Sequence, residues 1–230
     1  MKPSTVGVFI CAAAALMAVT VNAAIVTFTG LDPVANSTDP RPNSNLAAAA
    51  FDAAAGALGP ESTITFEGLP LGAFTNLLVT PGVNVGGPFV SIRDTPLCLP
   101  DRLCGYNTTA AGDQFLSMFG QTATFTFATP ISAFGFYYSG VQEPETIQFS
   151  DGTPQLLTMP FPSTDGGVEF FGVTDAGKQI SSFTVNALTD IVGIDDVRFV
   201  GSRSIPEPAT LALLGLSVAA LGFSRRHKVA

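Results

Sequence analysis

Thr122-Ala123-Thr124-Phe125-Thr126-Phe127 is the stretch that indicates the fold of this chain most clearly. Its threonines alternate with apolar residues, and successive side chains of an extended strand point to opposite faces. One face of the segment therefore carries hydroxyl groups, while the other carries aromatic rings that need a core. The stretch predicts a half-buried β-strand.

Short runs of similar texture recur on both sides of this strand, separated by Gly, Pro, Asp and Asn. The predicted strands are Thr63–Phe66, Thr122–Phe127, Ile131–Tyr138, Thr146–Phe149, Val168–Val173, Ile180–Val185 and Ile191–Val200. Asp151-Gly152 lies between two such runs and is typical of a hairpin turn. Many short strands at regular spacing predict an all-β fold, an antiparallel, jelly-roll-like β-sandwich at residues 63–200.

One short helix is predicted near the start of the mature chain, over the alanine-rich segment from Leu46 to Leu58. Ser44 or Asn45 would act as its N-cap, and Gly59-Pro60 would end it. We assign residues 24–62 to an N-terminal extension that contains this helix, and we expect the helix to cover one end of the sandwich.

Residues 1–23 have the features of a secretory signal peptide. Lys2 provides a positive charge, Val6 to Val21 is an apolar run, and Val21-Asn22-Ala23 places small residues for cleavage before Ala24. The alternative is a permanent N-terminal membrane helix, which has no need of a cleavage site.

The C-terminal segment, residues 206–230, combines three parts in a fixed order. The residues Pro206, Glu207 and Pro208 form an extended acidic motif, and residues 209–223 form an apolar run. Arg225, Arg226 and Lys228 then provide a basic membrane stop. A helix over the 15 apolar residues would span about 22 Å, which is short for a bilayer core of about 30 Å. We expect a C-terminal hydrophobic transmembrane helix, joined to the sandwich by a linker at residues 201–205.

This order of motif, apolar run and basic cluster resembles the PEP-CTERM sorting signal of Gram-negative bacteria. The resemblance implies recognition by an exosortase and the export machinery, transient residence in the inner membrane, and transfer to the cell surface or extracellular space. It also implies a producer that secretes exopolysaccharide. The alternative is a plain tail anchor that keeps the domain in the periplasm.

The charge balance limits the partners of the mature chain. Removing both end segments takes away four of the 10 basic residues and one of the 18 acids, which leaves a net charge of −11. Such an acidic protein repels nucleic acid and anionic lipid headgroups. The only histidine, His227, lies in the C-terminal segment, so histidine-based catalysis and histidine-ligated zinc are excluded from the mature domain.

Three acids form a candidate calcium site: Glu67 follows the first sandwich strand, and Asp195 and Asp196 lie in the last. Carboxylates in an apolar setting need a partner, and Ca²⁺ accepts such hard oxygen ligands. The Phe66-Glu67 and Ile194–Val197 segments are similar to jelly rolls of the MAM and carbohydrate-binding-module types, where the corresponding acids help to hold a structural cation. The alternative is an ion pair between Arg198 and one of the aspartates, with the other in solvent.

Two cysteines, Cys98 and Cys104, remain after the signal peptide is removed. An oxidising compartment favours a disulfide between them that closes a small loop. A metal-binding pair or a free catalytic thiol is the alternative, and neither has a histidine to support it.

We interpret the chain as a non-enzymatic surface protein, structural or adhesive within an exopolysaccharide layer, with weak glycan binding. Tyr137 and Tyr138 point to opposite faces of a strand, so one of them is expected to be exposed. The alternative function is a carbohydrate-active enzyme that uses two carboxylates, although no acid pair is singled out by its spacing.

Overall fold

The computed structural model describes residues 25–96, 104–142, 145–149, 156–158, 167–174, 180–187 and 190–202. The predicted signal peptide, the Asp151-Gly152 turn and the C-terminal hydrophobic helix lie outside them. The elements are β1 Val26–Pro33, α1 Pro42–Leu58, β2 Glu61–Ile64, β3 Gly72–Thr80, β4 Val83–Arg93, β5 Phe115–Phe119, β6 Thr122–Ser139, β7 Thr146–Phe149, β8 Leu156–Thr158, β9 Gly167–Thr174, β10 Ile180–Asn186 and β11 Ile191–Gly201.

The fold is antiparallel β-sheet with one short helix, which confirms the predicted fold class. The strand order is β2-β11-β5-β4-β6-β10-β7-β8; β3 is added beside β4, and β1 is paired with β9. The first and last strands predicted for the sandwich are neighbours, since Ile64 of β2 pairs with Val197 of β11.

The two strands predicted at 122–127 and 131–138 are one continuous strand, β6. Its first half pairs with β4 and β10, and its second half pairs with β9 and β11. The register with β10 shifts between Thr126 and Ile131, around Pro130, which has no N–H to donate. This irregularity allows one strand to pair with β4 and β10 in its first half and with β9 and β11 in its second.

Stacked phenylalanines form the centre of the core. The centre of the Phe183 ring lies 4.1 Å from that of Phe134 and 4.6 Å from that of Phe125, and both of these rings are nearly parallel to it. Such aromatic pairs contribute about 0.5–1.5 kcal/mol beyond the burial of their area. Phe125 and Phe127 are buried while Thr126 is exposed, as the alternation of residues in the first half of β6 predicts.

Helix α1 begins at Pro42, earlier than predicted, so neither Ser44 nor Asn45 is its N-cap. The carboxylate of Asp32 on β1 satisfies this end instead. It accepts hydrogen bonds from the backbone N–H of Asn43 at 3.1 Å and of Ser44 at 2.8 Å, and from the Ser44 hydroxyl at 2.7 Å. A negative charge at a helix N-terminus is electrostatically favourable.

The helix packs on the outer face of β1 and β9 through Phe51. Its ring lies 5.8 Å from the Phe28 ring and 5.6 Å from the Phe170 ring. Gly172 of β9 is needed beneath it, because a Cβ there would lie 2.6 Å from the Phe51 ring. The region assigned as an N-terminal extension thus supplies a strand of the sheet and a cover for it, and residue 63, its assigned boundary, falls inside β2.

The expectation that either Tyr137 or Tyr138 is exposed is wrong. The exposed fraction is 6% for Tyr137 and 0% for Tyr138. Tyr138 faces the main core, and helix α1 covers the other face, where the Tyr137 hydroxyl donates a 2.8 Å hydrogen bond to Asn45. A strand covered on both faces leaves neither tyrosine available for a ligand.

Candidate functional site

The three acids of the predicted calcium site surround the segment 105–114, which we call the 105–114 loop. Asp195 is fully buried in β11. Its Oδ2 accepts hydrogen bonds from the backbone N–H groups of Thr108 at 2.6 Å and Thr109 at 2.9 Å, and from both threonine hydroxyls at 3.1 and 3.2 Å. Asp195 therefore holds the middle of the loop against the strand.

A bulge in β11 turns the next carboxylate toward the same loop. Asp196 has a φ of 46°, and the register between β11 and β6 shifts between Asp195 and Arg198. In a regular strand, two consecutive side chains would point to opposite faces, and a bulge relaxes this rule. Asp196 consequently accepts a 2.7 Å hydrogen bond from the hydroxyl of Thr109.

Burial and the neighbouring Asp196 carboxylate raise the pKa of Asp195 to about 7. The backbone N–H donors of Thr108, Asp196 and Thr109 oppose this rise because they stabilise the charged form.

Glu67 holds the other side of the 105–114 loop. Its Oε1 accepts hydrogen bonds from the backbone N–H groups of Asp113 and Gln114, both at 2.9 Å, and from the Asn107 amide at 3.1 Å. Gly112 permits this approach, since a Cβ at that position would lie 2.3 Å from Oε1. Glu67 and Asp195 are thus joined through one loop whose backbone they both bind.

Within the described residues, no group of three or more His, Cys, Asp or Glu side chains is arranged to hold a metal ion. The hydrogen bonds above give the carboxylates of Glu67, Asp195 and Asp196 a structural role that needs no cation. The calcium site stays a prediction. The alternative ion pair is wrong, because Arg198 binds Asp52 of helix α1.

Cys104, which immediately precedes the 105–114 loop, is buried. Its predicted partner Cys98 lies outside the described residues, so their pairing stays a prediction. The same applies to the sorting motif Pro206-Glu207-Pro208 and to the basic residues Arg225, Arg226 and Lys228. In the described part of the chain, no helix has the length and apolar character needed to cross a membrane.

A groove of about 420 Å³ lies on the outer surface of β3, β4 and β5; we call it the β3–β5 groove. Two aromatic rings lie beside it with large exposed fractions, 67% for Phe89 and 53% for Phe119. Its other lining residues include Leu71, Ser91, Arg93, Asp94 and Ser117. Exposed rings beside a few polar groups are the usual composition of a small-molecule or sugar-sized site.

The backbone of Phe89 is held in a conformation that is rare for a large side chain, with a φ of 57°. Non-glycine residues in this region carry a strain of about 1–3 kcal/mol. Phe89 follows Gly86-Gly87-Pro88, the point within β4 where the pairing of the strand changes from β6 to β5. The sequence patterns predicted neither Phe89 nor Phe119 as a site residue, and the one signal for Phe89 is the preceding Gly-Gly-Pro tripeptide.

Comparison with known proteins identifies the C-terminal segment. The family model of the PEP-CTERM protein-sorting motif matches residues 204–226, so the chain carries a PEP-CTERM sorting signal, as predicted. The signal implies processing by an exosortase and export to the cell surface or the extracellular space. No curated protein matches the chain.

Several solved structures are similar at low identity. The K2 cleaved adhesin domain of Lys-gingipain is 13% identical, with a TM-score of 0.41 over 61% of this chain and 97% of that one. A mutant of the carbohydrate-binding module CBM29-2 is 11% identical, with a TM-score of 0.36 over 65% and 99% of the two chains. The family 11 module of the cellulase Lic26A-Cel5E of Clostridium thermocellum is 10% identical, with a TM-score of 0.31 over 62% and 95%. At these TM-scores the likenesses carry no argument about function.

Proposed function

We propose that this chain, which carries a PEP-CTERM sorting signal, is a structural or adhesive protein of the exopolysaccharide layer of a Gram-negative bacterium. It binds glycan weakly through the β3–β5 groove. The basic cluster Arg225, Arg226 and Lys228 holds the chain in the inner membrane during transit, and an exosortase then recognises Pro206-Glu207-Pro208.

The observation that carries the binding proposal is the exposure of Phe89 and Phe119, which line one groove from neighbouring strands. Aromatic rings present flat apolar faces, and the C–H face of a sugar ring can stack on such a surface. The serines and the charged side chains of Arg93 and Asp94 line the same groove, and such groups can hydrogen-bond to sugar hydroxyls. A site of this size accommodates a short segment of a glycan and is consistent with weak binding.

The strain at Phe89 supports a binding role over a packing role. The ring is mostly exposed, so little burial energy compensates for its left-handed backbone. A glycine would adopt this conformation at no steric cost. An exposed aromatic residue in such a position is better explained by a ligand than by the core.

We propose binding without hydrolysis. A glycosidase of the usual kind needs two carboxyl groups facing each other across the bound sugar. Among the described residues that line the groove, Asp94 is the only carboxylate. The two acids with strongly raised pKa values, Glu169 and Asp195, are fully buried, so neither can face a sugar in the groove.

The test uses the full chain from producing cells and the polysaccharide of those cells. Phe89→Ala and Phe119→Ala should each weaken binding by about three- to tenfold, while Leu46→Ala, at an exposed position on helix α1, should leave it unchanged. No reducing ends should appear during incubation. Release of reducing ends would favour the carboxylate-dependent enzyme, and equal binding by all variants would overturn the groove as the site.

A further inference from the structure

The β3–β5 groove adjoins a second surface that is formed by the outer side chains of β4, β6, β10 and β7. These side chains carry amides or hydroxyls, and we call the surface the amide–hydroxyl face. Its members are Asn84, Thr124, Thr126, Ser182, Thr184 and Gln148. The residues between them on each strand, such as Val85, Phe125 and Phe183, are buried in the core.

The strand register places these polar side chains in continuous rows. Asn84 pairs with Thr126, and Thr126 pairs with Ser182. In the next row, Thr124 pairs with Thr184, and Thr184 pairs with Gln148. Four neighbouring strands at about 4.8 Å spacing make the face roughly 14 Å wide.

The surface is recessed where β4 and β6 meet. A depression of about 450 Å³ is lined by residues that include Asn76, Asn84, Gly86, Thr124 and Thr126. Gly86 and Gly87 allow the backbones to approach closely here, because a Cβ on Gly87 would lie 2.1 Å from the carbonyl oxygen of Thr122. Strand β4 lines this depression with Asn84, Gly86 and Gly87 and the β3–β5 groove with residues 89–93. A polymer that lies in the groove can therefore continue along β4 into the depression.

The amide–hydroxyl face is uncharged, although the mature chain carries a net charge of −11. Resting on the proposed glycan binding, we infer that this face extends the groove into a site for an internal segment of an uncharged polysaccharide. Amides and hydroxyls both donate and accept hydrogen bonds, as do sugar hydroxyls.

Other occupants fit the same surface less well. An anionic polymer would need basic side chains, and the face has none among its described members. A second protein, including another copy of this chain, would need an apolar centre with aromatic residues. The exposed apolar residues of this surface, Leu78 beside Asn84 and Phe89 in the groove, lie at its β3–β4 side and not among the polar rows.

The test uses the full chain and the polysaccharide of the producing cells, separated by anion exchange into an uncharged and an anionic fraction. Asn84→Ala and Gln148→Ala should each weaken binding to the uncharged fraction by about three- to tenfold. Ser62→Ala, on the exposed outer strand β2, is the matched control and should have no effect. Binding should change less than about twofold between low and high salt, because no charges are paired.

Short oligosaccharides prepared from the uncharged fraction separate this inference from the groove itself. Phe89→Ala should weaken binding of oligosaccharide and polymer alike, whereas Asn84→Ala and Gln148→Ala should weaken mainly the polymer. If only Phe89→Ala has an effect, the groove stands and the extended site is overturned. If the chain binds only the anionic fraction, or if the face variants change the sedimentation of the chain instead of glycan binding, the inference is also wrong. If neither fraction binds, the proposed function fails with it.

Discussion

Arg198 of β11 binds both carboxylate oxygens of Asp52 on helix α1, at 2.6 and 2.8 Å. The same guanidinium lies 5.6 Å from the centre of the Tyr137 ring and 5.5 Å from that of Phe170. The ion pair therefore joins the helix to the sheet, while the two rings, which lie on β6 and β9, hold the guanidinium in place by cation–π contact. Arg198 is well buried and Asp52 is nearly half exposed, so the two residues should not contribute equally.

Arg198→Ala is expected to lower the free energy of unfolding by about 1–3 kcal/mol, because it removes a partly buried charged hydrogen bond and the ring contacts. Asp52→Ala should cost about 1 kcal/mol or less, since its carboxylate can be replaced by water. Urea unfolding of both variants measures the difference. Equal losses would show that the ring contacts of Arg198 contribute nothing.

Glu169 makes stability depend on pH. Its carboxylate is fully buried, and both oxygens lack a hydrogen-bond partner among the described residues. Burial raises its pKa from 4.5 to about 8. The folded chain therefore keeps a proton that the unfolded chain loses, and stability should fall between about pH 4.5 and pH 8, by up to about 1.4 kcal/mol for each pH unit.

Glu169→Gln should remove the slope between about pH 7 and pH 8 and reduce it at lower pH, where Asp195, with its pKa of about 7, gives a falling slope of its own. The variant should be more stable than the parent near pH 8, because the amide has no proton to lose. Thermal melts from pH 5 to pH 8 provide the measurement. Asp113→Asn, at an exposed position, is the control and should leave the slope in place. A slope between about pH 7 and pH 8 that is unchanged in Glu169→Gln would mean that another group causes it.

Gly112→Ala tests the contact between Glu67 and the 105–114 loop. The new methyl group would collide with Oε1 of Glu67, so the amides of Asp113 and Gln114 should lose their acceptor and exchange hydrogen faster. Gly56→Ala is the matched control in helix α1, where a Cβ meets nothing within 4 Å. That control should be neutral or stabilising by up to about 1 kcal/mol. Unchanged exchange in Gly112→Ala would show that Glu67 does not order the loop.

The predicted calcium site involves acids that contact the same loop. If Glu67, Asp195 and Asp196 bind Ca²⁺, the melting temperature should rise in calcium chloride and fall in EGTA, because a ligand that binds only the folded state stabilises it. Asp196→Asn should reduce the shift. A melting temperature that is the same in calcium and EGTA removes the hypothesis.

Replacement of Pro206-Glu207-Pro208 by alanines tests sorting. The apolar segment and the basic cluster remain, so the chain should still reach the inner membrane but should accumulate there uncleaved. Fractionation of producing cells with an antibody to the folded domain measures the distribution. Normal release of the variant would favour a tail that is processed without the motif.

Short runs of β-branched and aromatic residues predicted β6, β7, β9, β10 and β11. Alternate side chains are buried in β7, β10 and the first half of β6, whereas β9 is buried at every position. The strands β3, β4, β5 and β8 were missed. Strand β4 contains Gly86-Gly87-Pro88, which as a sequence indicates a break. In the fold, this tripeptide forms the bend where β4 changes partner.

For the candidate sites, too, the sequence predicts some residues and not their partners. The acids Glu67, Asp195 and Asp196 could be selected from sequence, because charged side chains beside apolar residues need partners. Those partners are backbone N–H groups and side chains of a distant loop, and residue types alone do not reveal that the loop folds beside the acids. The capping of helix α1 by Asp32 could not be predicted for the same reason. The carboxylate comes from strand β1, which is separated from the helix by a loop.

Strand β11 is bonded to β2, β5 and β6 and ends at Gly201, just before the segment that leads to the sorting signal. While the tail still holds the chain in the inner membrane, a pull on a polymer bound in the groove would reach the tail through this strand. We expect this load to be shared by the backbone hydrogen bonds that β11 makes with its three neighbours. Such a strand should resist force better than an outer hairpin, whose hydrogen bonds can break one after another.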